Sequence, residues 1–205
     1  MTSDNGSSGS NGILRVAAAQ INTTVGDIDG NTRLIEKWIG LAEEQGADLV
    51  AFPELTITGY PPEDLVLYKN FIDENKAALS RIASGVGNIV AVVGFVDSED
   101  EGTKLFNAAA VIHNRKIVAT YRKIHLPNYG VFDERRYFTP GNECPVLSIR
   151  GIKVGVNICE DIWEEIGPSE VQCAAGAQIL INLNSSPYES GKHGHRADVV
   201  TDLSR

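Results

Sequence analysis

Three apolar segments of this chain each stop at a residue able to take part in acyl transfer. Gly155-Val156-Asn157-Ile158 runs into Cys159-Glu160-Asp161, Leu49-Val50-Ala51-Phe52-Pro53 into Glu54, and Ile117-Val118-Ala119-Thr120-Tyr121 into Arg122-Lys123. A thiol, a carboxylate and an ammonium at strand ends are the parts of an amide-hydrolysing site. The thiolate of Cys159 would attack a carbonyl. A free thiol has a pKa of about 8.5, so near neutrality it needs a base, and Glu54 is placed to be one. Lys123, with the backbone N–H of Glu160, would stabilise the oxyanion; losing one such donor costs about 3–4 kcal/mol of barrier. Pattern alone leaves bland alternatives open. Glu54 after Pro53 could be an acid at a helix start, Lys123 a surface lysine, and Cys159 a small buried hydrophobe.

The elements that must bring these residues together alternate between strand-like and helical patterns. Strands are expected over Leu14 to Ile21, Leu49 to Phe52, Ile89 to Val96, Leu105 to His113 and Ile117 to Tyr121, then over Val146 to Ile149, Ile152 to Ile158 and Ile179 to Leu183. Helical spacing of Leu34, Ile35, Trp38, Ile39 and Leu41 predicts a helix over Asn31 to Gln45, stopped by Gly46. Further helices are expected over Phe71 to Ile82, near Ser169 to Ala175, and from Lys192 onward. Asp97 to Thr103 and Arg150-Gly151 read as hairpin turns. The long segments Glu54 to Asp64 and His125 to Gly141 are candidate pocket walls. Hairpins mixed with β-α connections point to an α/β sandwich, sheet on sheet with helices outside.

The chain has 205 residues and a formal net charge of −9, with no basic stripe, which argues against nucleic acid and anionic membrane as partners. No apolar run approaches the roughly 20 residues of a membrane span. Residues 1–12 are Ser, Gly and Asn rich and lack the pattern of a secretory signal; they read as a disordered tail ahead of one domain over 13–205. Three cysteines without C-x-x-C spacing argue against a disulfide framework or a cysteine metal site and for a reducing cytoplasm. Cys144 and Cys173 are read as buried hydrophobes. His193 and His195 form a His-x-His pair, but no acid-rich partner motif follows. They are placed in a solvated loop, and no metal site is expected.

At the reactive residues the chain resembles the nitrilase–amidase (carbon-nitrogen hydrolase) superfamily. Phe52-Pro53-Glu54, Arg122-Lys123-Ile124-His125-Leu126 and Gly155-Val156-Asn157-Ile158-Cys159-Glu160-Asp161 are similar to its base, lysine and nucleophile motifs. The resemblance implies an α-β-β-α sandwich and a Glu-Lys-Cys triad of Glu54, Lys123 and Cys159. A second glutamate, Glu134 in Phe132-Asp133-Glu134-Arg135-Arg136, would orient Lys123 and assist proton transfer. Longer strings, Pro53 to Leu65, Leu126 to Glu134 and Cys159-Glu160-Asp161-Ile162-Trp163, resemble the glutaminase domains of glutamine-dependent NAD synthetases. That likeness covers Ile13 to Arg205. It implies L-glutamine as substrate, with Tyr60, Tyr129, Glu160, Trp163 and Ser186 lining its pocket, Glu160 facing the α-ammonium and Lys192 near the α-carboxylate. It also implies a synthetase domain as partner, to which ammonia is passed, and a homo-oligomer.

No S-G-G-x-D-S pyrophosphate loop is present, so ATP and Mg²⁺ are expected only for a synthetase domain absent from this sequence, and no cofactor for glutamine hydrolysis. The helical pattern that begins at Lys192 has no visible end, so the sandwich is expected to be incomplete at its C-terminus. Two other functions stand beside this one: a stand-alone amidase acting on a different small amide or nitrile, and a non-catalytic interaction module that keeps the fold.

Overall fold

The computed structural model describes residues 12–99, 102–164, 166–188 and 190–203, so the expected tail lies almost wholly outside the described residues. Strands β1 (Val16–Ala18), β2 (Leu49–Ala51), β3 (Val90–Glu99), β4 (Lys104–His113) and β5 (Lys116–Arg122) form one sheet in that spatial order. Strands β6 (Val146–Ile149), β7 (Ile152–Ile158) and β8 (Ile179–Leu183) form the other. The pairs β1–β2, β2–β3 and β7–β8 are parallel; β3–β4, β4–β5 and β6–β7 are antiparallel. Helices α1 (Ile28–Glu44) and α2 (Lys69–Gly85) follow β1 and β2, α3 (Pro168–Ala174) links β7 to β8, and α4 (Lys192–Leu203) comes last.

The layering follows from the two-residue period of the strands. On β3, Ala91, Val93 and Phe95 face α1 and α2, packing with Ile35, Ile39, Leu79 and Ile82. Val90 and Val92 face the second sheet, where they meet Val154, Val156 and Ile158 of β7. The other face of β7 carries Asn157, whose amide donates to Ser169 Oγ (3.0 Å) and Gln172 Oε1 (3.2 Å) on α3. Gly155 lies beside it because a Cβ there would stand 2.8 Å from Gln172 Oε1. Helix, sheet, sheet and helix are therefore stacked in the expected order.

Several expectations change in detail, among them the turn expected over Asp97 to Thr103, whose first three residues pair with β4 and extend β3 to Glu99. The first helix begins at Ile28, not Asn31, because Asp27 accepts the N–H of Gly30 (2.9 Å) and caps it. Strand β1 spans only Val16–Ala18, since its ladder with β2 closes at Ala51, where Ala19 donates its last bond. Cys173 is exposed and Cys144 half-buried rather than core residues. Pro168, Ser169 and Gln172 form the buried face of α3, which turns Cys173 outward.

Candidate active site

Glu54 follows β2 by three residues. The turn that carries it crosses β3 at Gly94, where a Cβ would lie 2.5 Å from Pro53 O and Leu55 N, so no larger residue fits beneath that backbone. Lys123 directly follows β5, and its N–H donates to the carbonyl of Asn107 on β4 (2.8 Å). Cys159 directly follows β7 and opens a short 3₁₀ turn, Cys159–Ile162, with φ +44°, a left-handed conformation rare for a residue with a side chain. The strand therefore ends at the nucleophile candidate, which stays buried against the inter-sheet core.

One residue holds that turn against the lysine strand. Asp161, fully buried, accepts hydrogen bonds from the N–H groups of Ile158 (3.0 Å), Ile124 (3.2 Å) and His125 (2.8 Å) and from the hydroxyl of Tyr121 (2.7 Å). Burial raises its pKa and these donors oppose that rise. A single carboxylate thus fastens the nucleophile turn in one sheet to the end of β5 in the other.

Lys123 Nζ donates to Glu54 Oε1 (2.7 Å) and to Glu134 Oε1 (2.8 Å), and all three side chains are buried. Glu134 also accepts from the hydroxyl of Tyr60 (2.9 Å). Burial would lower the pKa of Lys123, but the charges of Glu54 and Glu134 outweigh it and hold the ammonium well above its ordinary range. Glu134 is pushed up to about 7 by burial and by the negative charge of Glu54, against the pull of Lys123. Lys123 therefore keeps its proton. Cys159 senses all three groups. Burial and the charge of Glu54 raise its pKa, opposed by Lys123 and by the main-chain N–H of Ser185, so its resting form is the thiol.

Cys159 opens onto a cavity of about 530 Å³ lined by Tyr129, Phe132, Glu160, Trp163, Ser186 and Lys192, among others. The Tyr129 hydroxyl donates to the Glu160 carboxylate, with its oxygen 2.8 and 3.0 Å from the two carboxylate oxygens. That bond, after burial, raises the Tyr129 pKa to about 12. Lys192 Nζ stands 5.6 Å from the centre of the Trp163 ring, and His195 packs on the same ring at 5.2 Å.

Tyr60 does not line this cavity. It lies behind Phe132, in a smaller void of about 240 Å³ shared with Glu134, because its hydroxyl is drawn to that carboxylate. No residue of the expected wall Glu54 to Asp64 lines this cavity. His193 and His195 sit on α4 and not in a loop. Among the described residues no group of three or more His, Cys, Asp or Glu side chains could hold a metal ion, and no helix is long and apolar enough to cross a membrane.

Sequence reasoning gave no site role to Asn107, Asp161, Phe132 or Ser185, and weighed His195 only as half of a His-x-His pair. Asn107 carried a visible signal, an amide inside the apolar run Leu105 to Ile112. Asp161 was legible only as an acid beside the nucleophile.

A sandwich with a lysine between two buried carboxylates beside a cysteine on a strained turn defines a class, and sequence comparison agrees. The carbon-nitrogen hydrolase family profile matches residues 15–201, and the chain belongs to that family. Its relatives include the glutamine-dependent NAD(+) synthetase of Thermotoga maritima, 47% identical over 191 residues, covering 92% of this chain and 33% of the relative. That of Xanthomonas campestris pv. campestris is 46% identical over 196 residues, covering 94% and 35%. The chain thus spans about a third of the length of these relatives. Among solved structures, the glutamine-dependent NAD+ synthetase of Acinetobacter baumannii superposes with TM-score 0.88 at 41% identity, covering 93% of this chain and 36% of that one. A mutant of the Nesterenkonia AN1 amidase from the nitrilase superfamily superposes with TM-score 0.80 at 25% identity, covering 93% and 71%.

Proposed function

We propose that this chain is the glutamine-hydrolysing, ammonia-supplying part of a glutamine-dependent NAD synthetase, working through a thioester on Cys159. The observation that carries the reading is the ammonium of Lys123 bridging Glu54 and Glu134 at 2.7 and 2.8 Å beside the only buried cysteine of the described residues. Glu54 takes the thiol proton as the sulfur attacks the carboxamide carbon. Two of the three N–H bonds of Lys123 go to carboxylates, which leaves the third for the oxyanion, with the N–H of Glu160 as second donor. The C–N bond then breaks, and Glu54 returns its proton to departing ammonia. Water adds to the thioester carbon as Glu54 takes its proton, the C–S bond breaks, glutamate is released, and Glu54 gives the proton back to the sulfur, restoring the thiol.

Zwitterionic glutamine calls for an acid and a cation in a partly apolar pocket. Glu160 faces the α-ammonium and Lys192 the α-carboxylate, Ser186 and Tyr129 supply polar contacts, and Trp163 and Phe132 cover the methylenes. No cofactor serves this hydrolysis; ATP and Mg²⁺ belong to the synthetase domain that receives the ammonia. A homo-oligomer and a cytoplasmic location complete the reading, the latter supported by three cysteines free of disulfides.

A glutamine-mimicking diazo-ketone should label Cys159 and spare Cys144 and Cys173 in peptide mass analysis. Cys159→Ala should lower ammonia release from glutamine by at least about 10³-fold. In a full-length synthetase it should leave synthesis from free ammonia intact. Loss of both syntheses together would refute the division of labour. The likeness to the Nesterenkonia amidase supports a second reading, a stand-alone amidase, and faster turnover of simple aliphatic amides than of glutamine would favour it.

A further inference from the structure

Asn107 is fully buried on β4, opposite Val96 of β3, in a strand otherwise apolar from Leu105 to Ile112. Its amide nitrogen donates to Glu54 Oε1 (2.7 Å) and stands 3.4 Å from Glu134 Oε2. Its carbonyl accepts the N–H of Lys123. One residue therefore touches both carboxylates through its side chain and the lysine through its backbone.

The distribution of bonds on Glu54 is uneven. Oε1 takes both Lys123 and Asn107, at 2.7 Å each, while Oε2 is buried and has no hydrogen-bond partner among the described residues. Asn107 Oδ1 is likewise buried without a partner among the described residues. A buried acceptor without a donor is costly, and a catalytic role is one reason for it to persist; of the two, only the carboxylate oxygen is basic enough to take a proton. Two carboxylates share a single ammonium here, so the cluster needs a further donor that adds no charge. An amide supplies it.

We propose that Asn107 is a positioning residue: by occupying Oε1 together with Lys123 it fixes Glu54 so that Oε2 is the atom that takes and returns the proton of Cys159. This rests on the thiol–carboxylate reading of the site given above. The amide also keeps the two carboxylates from sharing one proton, because a donor already lies between them.

The test uses the full-length protein and two variants, Asn107→Leu, which removes the donor at similar volume, and Asn107→Asp, which keeps the shape and exchanges the amide for an acid. Both remove a donor from the ionised form of the cluster, so in both the cluster keeps a proton to higher pH. The acidic limb of the pH profile for Cys159 alkylation by iodoacetamide should move upward by about one pH unit, and kcat for glutamine should fall about tenfold or more with KM nearly unchanged. A donor that merely filled space would lower stability and leave the limb in place. An unmoved limb in either folded variant overturns the proposal. Failure of both variants to fold also overturns it, assigning Asn107 to stability alone. If the unmodified protein releases no ammonia from glutamine, the glutaminase reading fails, and the alkylation profile still decides the role of Asn107.

Discussion

At one end of the sandwich a cavity of about 530 Å³ opens on Cys159; at the other a cleft of about 860 Å³ runs between β6 and the ends of β3, β4 and β5. The larger void has ordinary surface chemistry. Its charged pair is Asp48, which accepts the N–H of Arg15 (2.8 Å), and the exposed guanidinium of Arg150. The Arg15 N–H bond, and then Arg150, hold the carboxyl of Asp48 below its usual range despite some desolvation. Nothing there is charged, buried and incompletely bonded. The smaller cavity has a dry cluster behind it, with one ammonium between two carboxylates and a carboxylate oxygen left without a donor. Void size reports imperfect packing between layers; chemistry is located by buried charge that the fold holds in place at a cost.

The contrast breaks most visibly at Lys123. Lys123→Met leaves Glu54 and Glu134 buried without a cation and should cost about 3–5 kcal/mol in denaturant unfolding. A loss below about 1 kcal/mol would mean the cluster is wet and the two ends are alike. Asp161→Asn should cost about 1–3 kcal/mol, because one of its acceptor oxygens becomes an NH₂ facing N–H donors. It should also slow glutamine hydrolysis, since the turn of Cys159 loses its tie to β5; an unchanged rate would show the turn holds itself.

Glu134→Gln sharpens the comparison through pH. The folded-state pKa of Glu134 is raised to about 7 from a usual 4.5, chiefly by burial. Its stabilising contribution is therefore complete below the unfolded value and is lost as pH rises through 7. Between pH 5 and 8 the unmodified protein should lose thermal stability relative to the variant, and parallel curves would refute the assignment. Arg150→Ala, at the opposite end, should change stability by less than about 1 kcal/mol and glutamine hydrolysis not at all. A measurable loss of activity there would couple the two ends.

Much of the architecture was legible before any coordinates. Strands β6, β7 and β8 and the hairpin between β6 and β7 fall where apolar runs and turn residues put them, because a strand buried between layers must be apolar along its length. Element ends were less legible: β1 stops where its pairing with β2 ends at Ala51, a limit set 33 residues away, whereas the start of α1 was open to local reading, since Asp27 caps Gly30 three residues on. Tyr60 shows the same boundary at the site. The resemblance placed it in the glutamine pocket; its hydroxyl donates to Glu134, 74 residues away, a contact that no local pattern displays. Asn107 and Asp161 act through partners up to 53 and 40 residues distant in sequence, and no spacing rule reaches that far.

The sequence by itself determined which residue types end each strand and that the long central strands β3, β4 and β7 are buried, because hydrophobic periodicity and turn chemistry are local properties of the chain. Only the tertiary structure decided that Glu54 and Lys123 from one sheet share a buried contact with Glu134, that Cys159 arrives from the other sheet, and which carboxylate oxygen is left without a donor. Those facts depend on register between strands and on the stacking of two sheets, and both are fixed by packing across the whole core.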